Sequence, residues 1–206
     1  MFYIILFGVL CVITYMGWKL TARSAYESAE YSVLESDGSF ELREYPDLML
    51  ASTKMGTRIQ GDDGSFGRLF RYISGGNQEK QKIAMTTPVF MERQSDQSGG
   101  QMGFVIPKEV ANSPIPQPAS SEVQLTKRPG GKFAVLRFAG RLDNETQSQR
   151  QLELKNWIDK RGFEAVGEPE IAGYDPPWTP GPLRRNEILI RVRFSGSALA
   201  AGEKGS

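Results

Sequence analysis

Apolar residues fall into two kinds of run along this 206-residue chain. The first is continuous: Phe2 to Trp18 (FYIILFGVLCVITYMGW) carries no charged residue. At 1.5 Å per residue such a run spans about 26 Å, near the ~30 Å hydrocarbon core of a bilayer. Lys19 can snorkel to extend it, and Tyr15 and Trp18 sit where interfacial aromatics belong. The run predicts a transmembrane helix over residues 1–20, hence a single-pass membrane protein that touches the bilayer through this segment. An uncleaved or cleaved signal peptide is the competing reading. It is opposed by the missing basic n-region and by the poor cleavage site Ala22-Arg23-Ser24. A buried core helix is the third. Lys19 and Arg23 follow the run, which leans the remainder toward the cytoplasmic face.

The second kind of run is periodic. Residues 21–30 are polar and read as a tether, residues 31–194 as one domain, and residues 195–206, small and Gly-rich, as a disordered tail. Arg93 to Gln101 reads as a hairpin loop. Lys108 to Ser121 holds Pro114, Pro116 and Pro118 and reads as a linker, because proline disfavours helix interiors and central strands. The pattern repeats across that linker. Phe40 to Pro46 lies over Val123 to Pro129, a shift of 83 (123 − 40), and Leu50 to Gly56 over Phe133 to Ala139 at the same shift. Helical patterns follow at Ser65 to Ser74 and Glu145 to Gly162. Then come strands ending at proline, Ile83 to Pro88 and Ile171 to Pro176, and closing strands at Gly103 to Pro107 and Asn186 to Phe194. Each half reads β-β-α-β-β. The predicted class is α+β, with an antiparallel, barrel-like sheet and two main helices, preceded by the transmembrane helix.

The first helical pattern carries an apolar stripe, Phe66, Leu69, Phe70 and Ile73, with Arg68, Arg71 and Tyr72 off it. Asp62, Asp63 and Ser65 supply an expected N-cap and acidic first turn, and Gly75-Gly76 a stop. The stripe is core on one reading. On the other, its aromatics and the flanking arginines wall a groove for a flat ligand with acidic groups, since guanidinium matches carboxylate geometry.

Composition narrows the chemistry. Lys and Arg total 25 against 24 Asp and Glu, so nothing argues for a nucleic-acid partner. Histidine is absent and the one cysteine is Cys11. That removes Ser-His-Asp and Cys-His catalysis, His-ligated zinc, a histidine ligand to haem iron and any internal disulfide. No paired-carboxylate motif, phosphate loop or nucleophile elbow is present, so an enzyme is not expected. No protein partner can be read from the sequence.

The segments FGRLFRYISGGN (66–77), KIAMTTPV (82–89) and GYDPPWTPGPLRRNEI (173–188), in this order, resemble the SOUL haem-binding family from about Tyr31 to Phe194. The resemblance implies a duplicated β-α-β-β-like fold, a distorted antiparallel barrel with two helices, related to effector-binding domains of bacterial regulators. It also implies non-covalent binding of haem or a related tetrapyrrole between the first helix and the loop of the GYDPP motif. Carried over by motif, Phe66, Leu69, Phe70 and Arg71 face the groove and Tyr174 lies opposite. Thr179 stands where some members have lysine, so Arg68 or Arg184 would have to meet a propionate. Some members use an axial histidine. Here an iron ligand must be Met, Tyr or Lys, with Met85 and Met91 as the methionine candidates, or no strong protein ligand exists. A structural reading stands beside these roles: Pro88 and Pro176 shape strand ends, Thr86 and Thr87 satisfy backbone groups, and Arg184, Arg185 and Glu187 form an ion-pair cluster. The expected function is membrane-tethered tetrapyrrole binding for buffering, delivery or sensing. The alternative is an effector-binding or interaction module for another apolar small molecule.

Overall fold

The computed structural model describes residues 7–8, 26–56, 63–93, 99–176 and 179–194. Its strands are β1 (Glu27–Ser28), β2 (Ser32–Asp37), β3 (Phe40–Tyr45), β4 (Leu48–Met55), β5 (Thr86–Thr87), β6 (Val89–Arg93), β7 (Gly100–Val105), β8 (Gln124–Arg128), β9 (Gly131–Ala139), β10 (Phe163–Gly173) and β11 (Arg185–Phe194). The helices are α1 (Ser65–Ile73), α2 (Lys108–Ala111) and α3 (Asn144–Lys160).

Nine strands form one antiparallel sheet in the order β2-β3-β9-β11-β10-β6-β7-β4-β8, while β1 and β5 make a separate parallel pair. Set β2 aside and the order is a palindrome of the two halves. The first strand of each half pairs with the second strand of the other, and β6 and β10 meet at the centre. The shift of 83 holds in the strands: β4 starts at Leu48 and β9 at Gly131 (131 − 48), while Pro46 and Pro129 (129 − 46) each follow a first strand. The two turns meet closely at Gly130, where a Cβ would lie 2.4 Å from the Tyr45 carbonyl oxygen and 2.6 Å from the Pro46 carbonyl carbon. Only glycine fits such an approach.

Three apolar clusters fill the fold. One lies under α1 and includes Leu69, Tyr72, Met102 and Phe104. One lies under α3 around Leu154, Trp157 and Ile158. The third, with Tyr45, Leu50, Phe90, Phe133 and Leu189, draws on strands of both halves. Side chains alternate between sheet faces with period two, so one strand can serve two clusters. Ala51 of β4 joins the α1 cluster and Leu50 the third.

The α+β class, the antiparallel sheet and two long helices agree with expectation, and several details differ. No helix among the described residues is long and apolar enough to cross a membrane. The transmembrane helix expected over 1–20, and with it the single-pass localisation and the membrane contact, is therefore not supported. Phe2 to Trp18 counts 17 residues (18 − 2 + 1), the lower end of the ~17–25 that spanning helices use. Apart from Phe7 and Gly8, that segment lies outside the described residues, as does the 195–206 tail. Ile83 to Pro88 is not a four-residue or longer strand: only Thr86–Thr87 is extended, and the ladder strand β6 begins after Pro88, whose missing N–H suits a strand start. The 108–121 linker opens with the single helical turn α2, which ends before Pro114. Residues 26–30, read as tether, are docked: the Ala29 N–H donates to the Thr87 carbonyl at 2.8 Å, and Lys108 pairs with Glu30.

Candidate functional site

The helix α1 sits over β4 and β7, and its sequence dictates which side chains reach solvent. Leu69, Tyr72 and Ile73 are buried, and the Tyr72 hydroxyl donates to the Pro116 carbonyl at 2.7 Å. Tyr72, placed off the stripe by periodicity, therefore belongs to the core. Phe70, placed on it, is 51% exposed. It stacks on Phe66 with ring centroids 6.1 Å apart and planes 12° apart. Phe66 in turn meets Phe104 of β7 edge-on at 5.2 Å. The N-cap is Gly64, in the left-handed region at φ 78°, and Asp63 accepts the Ser65 N–H at 3.0 Å instead of capping the helix.

This stacked pair walls a cavity of about 320 Å³, within the ~300–1,000 Å³ of ordinary small-molecule pockets. Met85, Thr87 and Val89 line it from β5, β6 and the segment leading into them. Gly173, Tyr174, Asp175 and Pro176 close the opposite side, and Tyr26 stands where the chain enters β1. Phe66, Phe70 and Tyr174 are thus brought around one cavity. Leu69 is fully buried beneath it. Arg71 lines a small crevice with Tyr72, Gly76 and the 118–123 segment, not this cavity. Arg184 donates through Nε to the Thr179 carbonyl at 2.8 Å, and Arg68 spends its nitrogens on Thr53, Asp63 and Lys54. Among the described residues, neither lysine nor arginine lines the cavity.

Tyr174 is held by a buried ionic network. Its hydroxyl donates to Glu187 at 2.9 Å. Glu187, on β11, also accepts Arg43 of β3 at 2.7 and 3.0 Å and Arg185 at 2.5 Å. Arg43 and Glu187 are both fully buried. Burial pushes the Glu187 carboxyl up, but the hydrogen bonds and charge of Arg43, with those of Arg185, outweigh it and hold the group below the usual carboxylate range. Burial, then the Glu187 charge, pushes the Tyr174 phenol well above its ordinary value. The Arg185 guanidinium lies 4.1 Å from the Tyr174 ring centroid, and the Arg185 N–H donates to Asp175 at 2.5 Å. The expected ion-pair cluster is present in Arg185 and Glu187, with Arg43 as the partner that the sequence did not reveal. Thr86 Oγ1 donates to the Val105 carbonyl at 2.6 Å, as its backbone-satisfying role requires.

A second, polar trough of about 700 Å³ opens between β4, β6 and β8, lined by Ser52, Glu92, Gln101 and Glu168 among others. Of the helix and loop residues singled out by motif it carries Arg68, whose guanidinium is engaged by Thr53, Asp63 and Lys54. Of the cavity residues that motif reasoning did not assign to the groove, Thr87, Val89, Gly173, Asp175 and Pro176 all lie inside quoted motifs. Tyr26 had no signal, because its segment reads as polar tether.

The family model described as "SOUL heme-binding protein" matches residues 26–191. Heme-binding protein 1 of Xenopus tropicalis is 26% identical over 162 residues, covering 75% of this chain and 84% of that protein. Its Xenopus laevis counterpart matches to the same extent. Among solved structures, the C-terminal domain of EcmrR superposes with a TM-score of 0.53 at 14% identity, covering 80% of this chain and 98% of that one. A hydrolase from Listeria innocua gives 0.56 at 12%, covering 78% and 94%. At these identities the structural likenesses establish shared fold only.

Proposed function

The chain belongs to the SOUL heme-binding protein family, and from that premise we propose that it binds haem or a related tetrapyrrole non-covalently in the cavity between α1 and the Tyr174 loop. The observation that carries the reading is the half-exposed, stacked Phe66–Phe70 pair facing Tyr174 across an apolar cavity of about 320 Å³. A flat macrocycle suits such a wall, because aromatic faces stack on it and its burial removes apolar surface from water. The names of the two Xenopus relatives support the same ligand class. Phe66, Phe70 and Tyr174 would hold the ring, and the Glu187–Arg43 network would keep Tyr174 in place. The iron, once bound, supplies reversible redox and axial-ligand chemistry.

The reading is of a carrier, suited to buffering or delivery, rather than an enzyme. The cavity's polar groups are few, and two of them, Tyr174 and Asp175, are already engaged. Among the described lining residues, no nucleophile–base pair converges on the space. Titrating the full chain with haem, followed by the Soret band and by tryptophan quenching, tests this. Saturation at one equivalent, weakened by Phe70→Ala, is expected. Absence of saturable uptake, or uptake indifferent to Phe70, would defeat it.

A further inference from the structure

Iron has few suitors in this cavity. The chain has no histidine. Among the described lining residues, the groups with a lone pair are Tyr26, Met85, Thr87, Tyr174 and Asp175. Tyr174 spends its hydroxyl on Glu187 and is kept a neutral phenol by burial and by that carboxylate. Thr87 Oγ1 shares a hydrogen bond with Ser28 Oγ at 3.1 Å. Asp175 accepts the Arg185 N–H. Tyr26 would have to bind as phenolate, a charge that the positive ferric core offsets but the neutral ferrous core does not, and no described lining residue is a cation, so it is no ligand for reduced haem. Met91 is buried in the cluster beneath α1 and does not line the cavity. Met85 does, only partly buried, with a neutral thioether that needs no charge partner.

We propose that the sulfur of Met85 is the protein ligand to the haem iron, and that the site therefore holds ferrous haem more tightly than ferric. The inference rests on the proposed function. Two independent features set the preference. A thioether is a soft donor, better matched to the lower oxidation state. The ferric porphyrin core carries a net positive charge and the ferrous core does not, so an apolar cavity penalises the former.

The test titrates the full chain with ferric haem, with reduced haem and with iron-free protoporphyrin, comparing wild type, Met85→Leu and Met85→His. Met85→Leu nearly conserves volume, so it should keep its affinity for iron-free porphyrin. It should lose about tenfold or more in ferrous affinity, the scale at which even outer-shell changes act at metal sites. The reduction midpoint of bound haem should fall with it, since methionine ligation raises haem potentials. Met85→His should give the bound haem the high-spin spectrum of a single imidazole ligand if side chain 85 reaches the iron. A Met85→Leu protein that keeps the wild-type ratio of ferrous to ferric affinity overturns the inference while leaving haem binding intact. Wild type that takes up neither haem nor iron-free porphyrin overturns the proposed function itself, and the inference with it.

Discussion

Leu69 is fully buried while Phe70, one residue on, is 51% exposed, so truncating each should separate stability from binding. Leu69→Ala should cost about 2–5 kcal/mol of folding free energy, the range for buried leucines. Phe70→Ala should cost less than the roughly 3–5 kcal/mol of a core phenylalanine, yet weaken tetrapyrrole binding more than its folding cost explains. Denaturant midpoints and haem titrations on the same preparations measure both. Arg71 makes the complementary case. A guanidinium meeting a propionate would distinguish haem from its dimethyl ester, but Arg71 lines a different crevice. Arg71→Ala should therefore bind both ligands as wild type does. Selective loss of haem against ester would restore a propionate role for Arg71. Glu92 gives a pH signature. It faces Glu170 across the central ladder, and partial desolvation of this surface-reaching side chain, then the charges of Glu170 and Glu168, raise its carboxyl above the ordinary 4.5 despite Arg128. A raised carboxyl binds its proton more tightly in the folded state, so the contribution of Glu92 to stability is most favourable at low pH and falls as pH rises through the folded value. Glu92→Gln should be more stable than wild type at neutral pH, with the gap closing below about pH 4.5. A pH series of urea midpoints with no such closure would contradict this.

At the scale of elements, the strands of the repeat were legible because alternation and paired prolines leave marks in sequence. Phe40 to Pro46 and Val123 to Pro129 do occupy the first strands of their halves, ending in turns that touch at Gly130. The wall of the site was legible only in part. A 3.6-residue stripe tells that Phe66, Leu69, Phe70 and Ile73 share a face, but not which edge of that face the sheet covers. The sheet reaches Leu69, Ile73 and the off-stripe Tyr72, and leaves Phe70 over the cavity. Residues 26–30 had no legible fate, since their docking depends on β5, a two-residue partner 59 positions away (86 − 27). That docking brings Tyr26 to the cavity rim. Ala29, buried beside it, offers a test: Ala29→Asp should undock β1 by burying an unpaired charge. Faster amide exchange at Ala29, whose N–H bonds Thr87, should accompany weaker tetrapyrrole binding. Exchange that speeds up while binding holds would remove Tyr26 from the site.

For the molecule as a whole, the two halves are joined by charge as well as by the ladder. Arg43 belongs to the first half and Glu187 to the second, and their ion pair at 2.7 Å is closed to water. Arg43 also bonds Glu41 and Tyr45, and Glu187 holds Tyr174 against the cavity. The same buried carboxylate thus serves the seam between the repeats and the wall of the site. Removing one member of such a pair strands the other, and the penalty exceeds what the intact pair contributes. Arg43→Met should cost about 3–5 kcal/mol at neutral pH, leaving Glu187 with Arg185 and Tyr174 alone. The pH dependence carries a definite sign. In wild type the Glu187 carboxyl is depressed, so its contribution is present above the ordinary carboxylate value and disappears only as pH falls through the lower, folded one. In the variant, burial meets less opposition and the carboxyl rises, so protonation relieves the fold. The stability gap between the two proteins should therefore narrow steadily on acidification. Loosening of Tyr174 should lower tetrapyrrole affinity in the same variant, although Arg43 does not line the cavity. A gap that stays constant with pH would mean that Arg43 acts by packing rather than by charge, and unchanged affinity would mean that Tyr174 is positioned without Glu187.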